Sequence, residues 1–394
     1  MKHLDLVILA GGLGSRIRHI TKNRPKPLVK FGKKSFLRNL LNYFAKYNFN
    51  KIYIIAGYKG DLIKKTFHNK TINLTKIECI LEKKLKGTGG ALSELKKKKI
   101  KNFILSNGDS FCPINLNQFI KNVRNKSIKV SLVKNKNYKL NNLLTNLNVK
   151  KGKIIFDKKS KFMNSGIYYI NKNNLKNFQV KKFSFENDYL RNLIIKNKVY
   201  GEKYIDELID IGTPQNLKIA KAKLPKIFKK PAIFLDRDGV INYDYGYVHK
   251  LSDFRLKKNV IKGLKYLNKL NYYIFIVTNQ SGIARGYYTE NQFIEFQKNI
   301  NENFTNKGLF INDTLYCPHH LNGKIKKYSI RCNCRKPNTL MIKNIYDNFD
   351  LDLKKSLFVG DQITDKKCAK KFKIKFSYPK LDFYDSIKKG LNKI

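Results

Sequence analysis

The sequence is poor in acidic residues and in clusters of like charge. Its 394 residues include only 28 Asp and Glu against 82 Lys and Arg, a formal net charge of +54. A balance this basic favours a polyanion partner, because clustered cations capture phosphate backbones. The lysines are nevertheless spread along the chain, with one run of four at 96–99. Since no spacing typical of an RNA- or DNA-binding module is present, we expect no specific nucleic-acid partner, and a nucleic-acid-binding protein stays an alternative favoured by charge alone.

Long hydrophobic runs and a cysteine framework are lacking as well. The longest apolar stretches, such as 272–277, fall far short of the roughly 18 residues that a membrane-spanning helix needs. The first residues do not resemble a signal peptide. Six cysteines in a chain of 394 residues do not make a disulfide scaffold. These absences predict no membrane partner and a location in the reducing cytoplasm.

Two series of short apolar runs alternate with amphipathic stretches. The first series includes 6–10, 52–56, 103–105 and 128–133, and the second begins at 232–235. This alternation is typical of α/β domains with a parallel sheet. Between the two series, the lysine-rich segment 221–230 shows little periodicity. We therefore predict one domain at 1–222, a linker at 223–230 and a second domain at 231–394.

The first apolar run leads directly into a glycine-rich turn that contains Gly11, Gly12 and Gly14. Such a turn lets backbone N–H groups approach phosphate oxygens, and Arg16 adds a fork of donors. A little further on, Lys26 lies between two prolines, which hold its backbone extended. These residues are candidates for binding the phosphates of a nucleotide.

Two further features belong to the same predicted site. Gly87 and Gly89 offer a second close approach of the backbone. Asp109 ends an apolar run, and Asp210 precedes a Gly-Thr-Pro turn. Because ligands bind at the carboxyl ends of strands in open α/β sheets, both aspartates are candidates for holding Mg²⁺ against phosphates.

Residues 1–222 resemble the sugar-1-phosphate nucleotidyltransferases, with the motifs GGLGSR, RPKPLV, LKGTGGAL, NGDS, NSGIY and DIGTP in the family's order. The resemblance implies a Rossmann-like (GT-A-like) sheet and in-line attack of a sugar phosphate on a nucleotide. It implies that Arg16 binds the β- and γ-phosphates and that Lys26 binds the α-phosphate or the sugar phosphate. By the same resemblance Asp109 and Asp210 hold Mg²⁺, and Asn164 lines the sugar pocket. One departure concerns sugar specificity, because relatives often carry Glu-Lys shortly before the Asn-x-Gly-x-Tyr motif, whereas the segment Phe156-Asp157-Lys158-Lys159 places Lys where that Glu is expected.

In the second half, Asp236 and Asp238 lie two residues apart at the end of an apolar run. The period of two in a strand lets both carboxylates reach one site, where one can attack phosphorus and the other can transfer a proton. Thr278 ends the next apolar run, and Lys336 supplies a cation. Asp361 and Asp365 add carboxylates suited to Mg²⁺.

Residues 230–385 are similar to the haloacid-dehalogenase (HAD) phosphatases, in particular the heptose-bisphosphate phosphatase type, with histidinol phosphatase as a near cousin. The resemblance implies a HAD-like Rossmannoid domain in which Asp236 is the nucleophile and Asp238 the acid/base. Thr278 and Lys336 would bind the phosphoryl group. Asp236, the backbone carbonyl of Asp238 and Asp361 would hold Mg²⁺. The residues expected to contact substrate are Asp244, Tyr247, Asn279, Gln280, Ser281 and Arg335.

A second metal site is predicted from a C-x-H…C-x-C pattern. Cys317 and His319 form one pair, and Cys332 and Cys334 form the other. Four nitrogen and sulfur ligands in two close pairs suit tetrahedral Zn²⁺. A closed site of this kind would order the intervening segment, 321–331.

The two resemblances together imply a bifunctional enzyme. Dephosphorylation of D-glycero-D-manno-heptose 1,7-bisphosphate at position 7 would give heptose 1-phosphate, which GTP would convert to GDP-heptose for a surface glycan. Both substrates are small molecules. The alternative is a phosphatase for histidinol phosphate or another sugar bisphosphate, fused to a nucleotidyltransferase of different sugar and nucleotide specificity such as UTP or CTP. The sequence leaves the base, the anomer and the oligomeric state open.

Overall fold

The computed structural model describes residues 1, 3–21, 24–121, 123, 128–134, 144–178 and 180–392. Its contacts group the chain into two units, Met1–Tyr43 with Phe49–Lys226 and Phe44–Asn48 with Ile227–Ile394. Among the described residues, no helix is both long and apolar enough to cross a membrane.

The first unit consists of a large sheet with short helices along the chain. Its strands are β1 (Leu4–Leu9), β2 (Lys30–Phe31), β3 (Lys34–Ser35), β4 (Ile52–Ala56), β5 (Thr71–Ile72), β6 (Thr75–Leu81), β7 (Asn102–Asn107), β8 (Ser110–Phe111), β9 (Ile128–Lys134), β10 (Leu147–Lys150), β11 (Lys153–Phe156), β12 (Phe162–Ile170), β13 (Val199–Tyr204) and β14 (Ile209–Asp210). Its helices are α1 (Phe36–Ala45), α2 (Gly60–Phe67), α3 (Gly87–Leu92), α4 (Leu116–Phe119), α5 (Arg191–Ile195) and α6 (Pro214–Phe228).

Ten strands among the described residues form one sheet, in the order β10-β11-β13-β9-β12-β7-β1-β4-β6-β5. β1 is parallel to both neighbours, β4 and β7, and β4 is parallel to β6. The carboxyl ends of these four strands therefore meet at one edge. The sheet is mixed rather than parallel as expected, because β12 is antiparallel to β7 and β9. The pattern did not reveal this, since a strand buried on both faces has the same apolar run in either direction.

Helix α6 differs from the sequence prediction. We expected a linker at 223–230, but α6 runs from Pro214 to Phe228 and includes Pro225. Leu217, Ala220, Leu224 and Phe228 are all buried on this helix. Their spacing forms an apolar stripe at the helical period, and its burial outweighs the hydrogen bond that Pro225 cannot donate. The prediction of an irregular linker is therefore wrong over most of its length.

The second unit is a smaller α/β domain. Its strands are β15 (Ala232–Leu235), β16 (Tyr273–Asn279), β17 (Asp313–Cys317), β18 (Leu357–Val359) and β19 (Lys375–Ser377). Its helices are α7 (Val260–Lys269), α8 (Gly282–Arg285), α9 (Glu290–Asn306), α10 (Leu340–Asn348), α11 (Ile363–Lys371) and α12 (Phe383–Leu391). The strands pair in the order β17-β16-β15-β18-β19 and all run parallel, so the predicted parallel α/β sheet is confirmed here.

Candidate active sites

The first unit has a cavity of about 910 Å³ at the carboxyl edge of its sheet. The glycine-rich turn after β1 forms one wall, where Gly14 has a positive φ of 61° and begins a short 3-10 turn that carries Arg16. Most of the residues predicted for this site line the cavity: Gly11, Gly12, Gly14, Arg16, Lys26, Gly87, Asp109 and Asp210.

Gly89 and Asn164, also predicted for this site, are not among the residues that line the cavity. The Gly89 N–H donates to the Phe183 carbonyl over 3.1 Å, and a Cβ at Gly89 would lie 2.2 Å from the Phe183 ring. Asn164 is fully buried, and its amide bonds Tyr168 and the Gly166 N–H. The structure therefore gives both residues packing roles behind the cavity wall.

Two aspartates that lie 101 positions apart in sequence meet in this cavity, because β14 pairs with β8 and places Asp210 opposite Ser110. The Ser110 hydroxyl lies 3.4 Å from a carboxylate oxygen of Asp109 and 3.4 Å from one of Asp210. Burial raises the pKa of Asp210, and the charge of Asp109 raises it further. Two carboxylates that repel each other in this way fit a divalent cation that prefers oxygen ligands.

Lys26 is one of the cations that line this cavity, and its Nζ lies 2.7 Å from Oδ2 of Asp109. Burial opposes the charge of both groups, yet their attraction raises the pKa of Lys26 and lowers the pKa of Asp109. Lys26 is thus held as an ammonium that faces the aspartate predicted to hold a metal.

Sequence reasoning missed Glu82 in the same cavity. Glu82 follows β6, so the rule that found Asp109 at the end of β7 also applies to it. Its Oε2 lies close to the turn, so a Cβ at Gly11 would approach it to 2.3 Å. Burial raises the pKa of Glu82. The cavity therefore has one carboxylate near the glycine turn besides the aspartate pair.

Glu186 also lies in the wall of this cavity. It belongs to a π-helical turn, Phe185–Leu190, and its carboxylate is buried. The Thr88 hydroxyl donates to it over 2.7 Å and the Tyr168 hydroxyl over 3.3 Å. Burial raises the pKa of Glu186 despite these hydrogen bonds.

In the second unit, the carboxyl ends of three adjacent strands bring the predicted phosphatase residues together. Asp236 follows β15, Thr278 lies near the end of β16, and Asp361 follows β18. Lys336 is buried among them, with its Nζ 2.9 Å from Oδ1 of Asp236 and 2.6 Å from Oδ1 of Asp365. Burial raises the pKa of Asp236 to about 7, an effect that Lys336 opposes.

Three carboxylates of this site can hold one metal ion. Asp236, Asp361 and Asp365 each offer an oxygen, and these atoms lie within 4.8 Å of one another. Within the part of the chain that the structure describes, Oδ1 of Asp361 is buried without a hydrogen-bond partner. An orphaned carboxylate oxygen beside two others fits a divalent cation. The Asp238 carboxylate is not part of this set.

The residues predicted to contact substrate have several different environments. Asn279 binds the backbone of Lys336 through both its amide atoms, at 3.0 and 3.3 Å. Gln280 is buried and donates to Asp238 and to the Thr278 hydroxyl. The structure therefore assigns both to internal support rather than to a free substrate-facing position. Four others are at least partly exposed: Asp244, Tyr247, Ser281 and Arg335.

Cys317, His319, Cys332 and Cys334 form a compact cluster with donor atoms within 4.8 Å of one another. The Cys334 Sγ lies 3.2 Å from both the Cys317 Sγ and the His319 Nδ1. The hydrogen bond between Cys334 and Cys317 lowers the pKa of Cys334 to about 5. Three thiols and one imidazole in this arrangement fit a tetrahedral metal site. His320 lies outside the cluster, and its Nε2 is 3.3 Å from Arg285.

Comparison with family models defines the class of the chain. The model of the nucleotidyl transferase family matches residues 6–142, and the model of the polynucleotide kinase 3 phosphatase family matches residues 232–387. The chain is an enzyme with a nucleotidyltransferase-type domain followed by a HAD-like phosphatase domain. This confirms the two-domain fold class and both predicted types of activity.

Individual relatives give a narrower family. The chain is 40% identical over 146 residues to the D-glycero-beta-D-manno-heptose-1,7-bisphosphate 7-phosphatase of Haemophilus influenzae, a match covering 37% of this chain and 79% of that protein. It is 42% identical over 140 residues to the same enzyme of Vibrio cholerae, covering 36% and 75% respectively. The crystal structure of HddC from Yersinia pseudotuberculosis is 28% identical and covers 56% of this chain and 99% of its own, with a TM-score of 0.48. The chain belongs to the D-glycero-beta-D-manno-heptose-1,7-bisphosphate 7-phosphatase family.

Proposed function

We propose that the chain removes the 7-phosphate of D-glycero-D-manno-heptose 1,7-bisphosphate and transfers a guanylyl group from GTP to the resulting heptose 1-phosphate. The products are inorganic phosphate, diphosphate and GDP-heptose, an activated sugar for a surface glycan such as lipopolysaccharide. The observation that carries the proposal is the buried Asp236–Lys336–Asp365 centre in a chain whose relatives act on this bisphosphate. The same chain has a nucleotide-sized cavity, and a cytoplasmic location suits both soluble substrates.

The phosphatase reaction uses the proposed nucleophile and acid/base in turn. The Asp236 carboxylate attacks phosphorus, and the bond from phosphorus to the sugar oxygen breaks while Asp238 gives that oxygen a proton. Water then attacks the aspartyl phosphate, Asp238 accepts the proton of this water, and inorganic phosphate leaves. Thr278 and the Lys336 ammonium bind the phosphoryl oxygens and so stabilise the charge that develops on them.

Both sites have oxygen ligands suited to Mg²⁺, which when bound neutralises phosphate charge. In the phosphatase, Asp236, Asp361 and the backbone carbonyl of Asp238 would hold it. Asp365, whose carboxylate lies in the same set, also contacts the Lys336 ammonium at 2.6 Å. In the nucleotidyltransferase, Asp109 and Asp210 would hold it.

Nucleotidyl transfer proceeds by positioning, without a covalent enzyme intermediate. An oxygen of the sugar phosphate attacks the α-phosphorus of the nucleotide, and diphosphate leaves in line. Arg16 and the N–H groups of the glycine turn bind the β- and γ-phosphates, and Lys26 binds the α-phosphate or the sugar phosphate. Lys26 must then release Asp109, its partner at 2.7 Å in the present structure.

Glu82 supports guanine as the base. A carboxylate accepts two parallel hydrogen bonds, and guanine is the base whose N1–H and exocyclic amino group present two adjacent donors. Uracil, cytosine and adenine each place an acceptor beside the donor of that edge, which would face the carboxylate unfavourably. The raised pKa of Glu82 reflects a desolvated position where such discrimination is strong.

The four-ligand cluster would hold structural Zn²⁺. Its members come from the end of β17 and from 332–334, so a bound ion would close the segment between them. Because all four ligands are protein atoms, the ion would stabilise this segment rather than take part in the reaction.

The test uses the full chain with Mg²⁺, the α- and β-anomers of the 1,7-bisphosphate, and GTP. We expect release of one phosphate per sugar and formation of GDP-heptose in the same reaction. ATP, CTP and UTP replace GTP in parallel samples, and histidinol phosphate replaces the bisphosphate. Phosphate release from histidinol phosphate alone, or nucleotide consumption with UTP or CTP in preference to GTP, would contradict the proposal.

A further inference from the structure

The residue between the two active-site aspartates is an arginine with an unusual position. Arg237 is only 1% exposed and is among the largest fully buried side chains of the described residues. Its guanidinium lies over the rings of Phe293 and Phe296, at 5.4 and 5.2 Å from their centroids. A buried guanidinium costs free energy unless it is paired and hydrogen-bonded, so its partners define its role.

The charged partner of Arg237 is Asp238. Nε lies 3.1 Å and Nη2 3.0 Å from Oδ1 of this carboxylate, and Nη2 also lies 2.8 Å from Oδ2. Such a fork of donors restrains both the position and the plane of a carboxylate, which a single hydrogen bond does not. Asn242 and Gln280 donate to the two oxygens from other directions, at 2.9 and 3.0 Å.

Arg237 also reaches two other parts of the phosphatase site. Its Nη2 donates to the Val248 carbonyl over 2.7 Å, directly after the segment that carries Asp244 and Tyr247. Gln280 accepts from the same nitrogen at 3.3 Å and donates to the Thr278 hydroxyl at 2.9 Å. One side chain thus connects the proposed acid/base with the support of a phosphoryl-binding residue and with a substrate-facing segment.

We infer that Arg237 is a positioning residue that holds the Asp238 carboxylate in place for proton transfer to and from the reacting oxygen atoms. The inference rests on the proposed phosphatase function and adds a role that its mechanism does not contain. Arg237 is buried behind Asp238 and acts through that carboxylate. Its removal should therefore impair proton transfer while binding of the phosphoryl group by Thr278 and Lys336 persists.

The leaving group separates this role from a general loss of structure. A sugar alkoxide needs a proton when it leaves, whereas p-nitrophenolate leaves readily without one. With Arg237→Met and Mg²⁺, we expect kcat for the heptose bisphosphate to fall on the order of 10²-fold with KM changed less than about threefold. With p-nitrophenyl phosphate we expect a rapid burst of nitrophenolate, followed by slow turnover because the second step still needs Asp238. Arg237→Lys keeps the positive charge but not the fork of donors. Its kcat for the heptose bisphosphate should lie between those of the unchanged protein and Arg237→Met.

A double-mutant cycle with Asp238→Asn completes the test. If Arg237 acts through Asp238, Arg237→Met should lower kcat by less than about threefold in the Asp238→Asn background. Arg255 provides the matched control, because it is an exposed arginine of the same unit whose guanidinium donates to the carbonyl of Phe254. Arg255→Met should behave as the unchanged protein.

Two outcomes overturn the inference and can be told apart from failure of the proposed function. An equal loss of kcat for both substrates without a burst, or an equal loss in both backgrounds of the cycle, would show that Arg237 serves folding alone. Circular dichroism and the nucleotidyl-transfer rate of the same variants report whether the chain is folded. Absence of phosphatase activity in the unchanged protein would instead contradict the proposed function itself.

Discussion

The two sites use the same pair of groups, a lysine against aspartates, in opposite environments. In the nucleotidyltransferase unit, Lys26 contacts Asp109, whose side chain is 36% exposed at a large cavity. In the phosphatase unit, the side chains of Lys336 and Asp365 are each 1% exposed, and Asp236 is close to them. A pair at an open cavity can exchange partners when a polyanion arrives, whereas a buried triad keeps its geometry throughout a covalent reaction. The difference in exposure fits the two proposed mechanisms. The nucleotidyltransferase would act by positioning its substrates, and the phosphatase would act through a covalent nucleophile.

The sharpest test of this contrast replaces Asp236, the proposed nucleophile. Asp236→Asn keeps the size of the side chain but removes the attacking oxygen anion, so phosphate release should fall at least about 10⁴-fold. Nucleotidyl transfer with a supplied heptose 1-phosphate should stay within about twofold, because that site lies in the other unit. If Asp236→Asn lowered both activities to the same extent, the two sites would not act independently.

The converse change is Lys26→Met. Loss of the ammonium should lower guanylyl transfer by roughly 10²- to 10³-fold, as removal of one preorganised donor to a developing charge does elsewhere. Phosphate release from the bisphosphate should be unchanged. Lys30→Met, at an exposed lysine on β2, serves as the control. A rate unchanged in Lys26→Met would mean that Lys26 does not contact the reacting phosphates.

A smaller effect is expected for Glu82, the carboxylate that we propose recognises the base. Glu82→Gln replaces one acceptor with a donor, which should lower kcat/KM for GTP by roughly tenfold to a hundredfold relative to UTP. The measurement is competition between the two nucleotides in one reaction. An unaltered ratio would place base recognition elsewhere in the cavity.

Substitution of one ligand tests the proposed zinc cluster of Cys317, His319, Cys332 and Cys334. Cys334→Ser should remove about one equivalent of zinc per chain, as measured by elemental analysis of the purified protein. A loss of about 2 kcal/mol would lower the Tm of this unit by roughly 4–8 °C. Cys368→Ser, at a buried thiol outside the cluster, is the control for zinc content. An unchanged zinc content in Cys334→Ser would contradict this ligand set.

The mildest test is the pH dependence of stability at Glu186. Burial raises the pKa of this carboxyl in the folded chain. The folded state therefore binds its proton more tightly than the unfolded state, and this residue's contribution to stability falls as pH rises through the interval between the two pKa values. Glu186→Gln removes that dependence, so its Tm relative to the unchanged protein should increase from pH 4 to pH 8. A difference that stays constant with pH would mean that the pKa of Glu186 is the same in the folded and unfolded states.

Sequence patterns predicted the residues at the ends of parallel strands well. Asp109, Asp236 and Asp361 follow apolar runs, and the topology of a parallel sheet brings such positions to one edge. The cluster around Cys317 was equally predictable from sequence, because its ligands form two pairs in which the members are only two residues apart. Glu82 was overlooked although it obeys the same rule, since its run alternates buried and exposed residues.

The remaining differences have a common origin in tertiary packing. Asn279 and Gln280 lie beside Thr278 in sequence, yet their side chains bind Lys336 and Asp238, which only the folded sheet brings near. Helix α6 extends through a lysine-rich segment because its buried stripe has a core to pack against. Local composition predicts neither the side-chain partners of Asn279 and Gln280 nor the length of helix α6, because both depend on residues distant in sequence.

Both units belong to one continuous polypeptide, and the boundary between them falls within helix α6. Every copy therefore carries one phosphatase site and one nucleotidyltransferase site, and the ratio of the two activities cannot be altered by changing expression. Flux through the two steps is then balanced by their rate constants alone. A variant that slows guanylyl transfer should accumulate heptose 1-phosphate in proportion, whatever the amount of protein made.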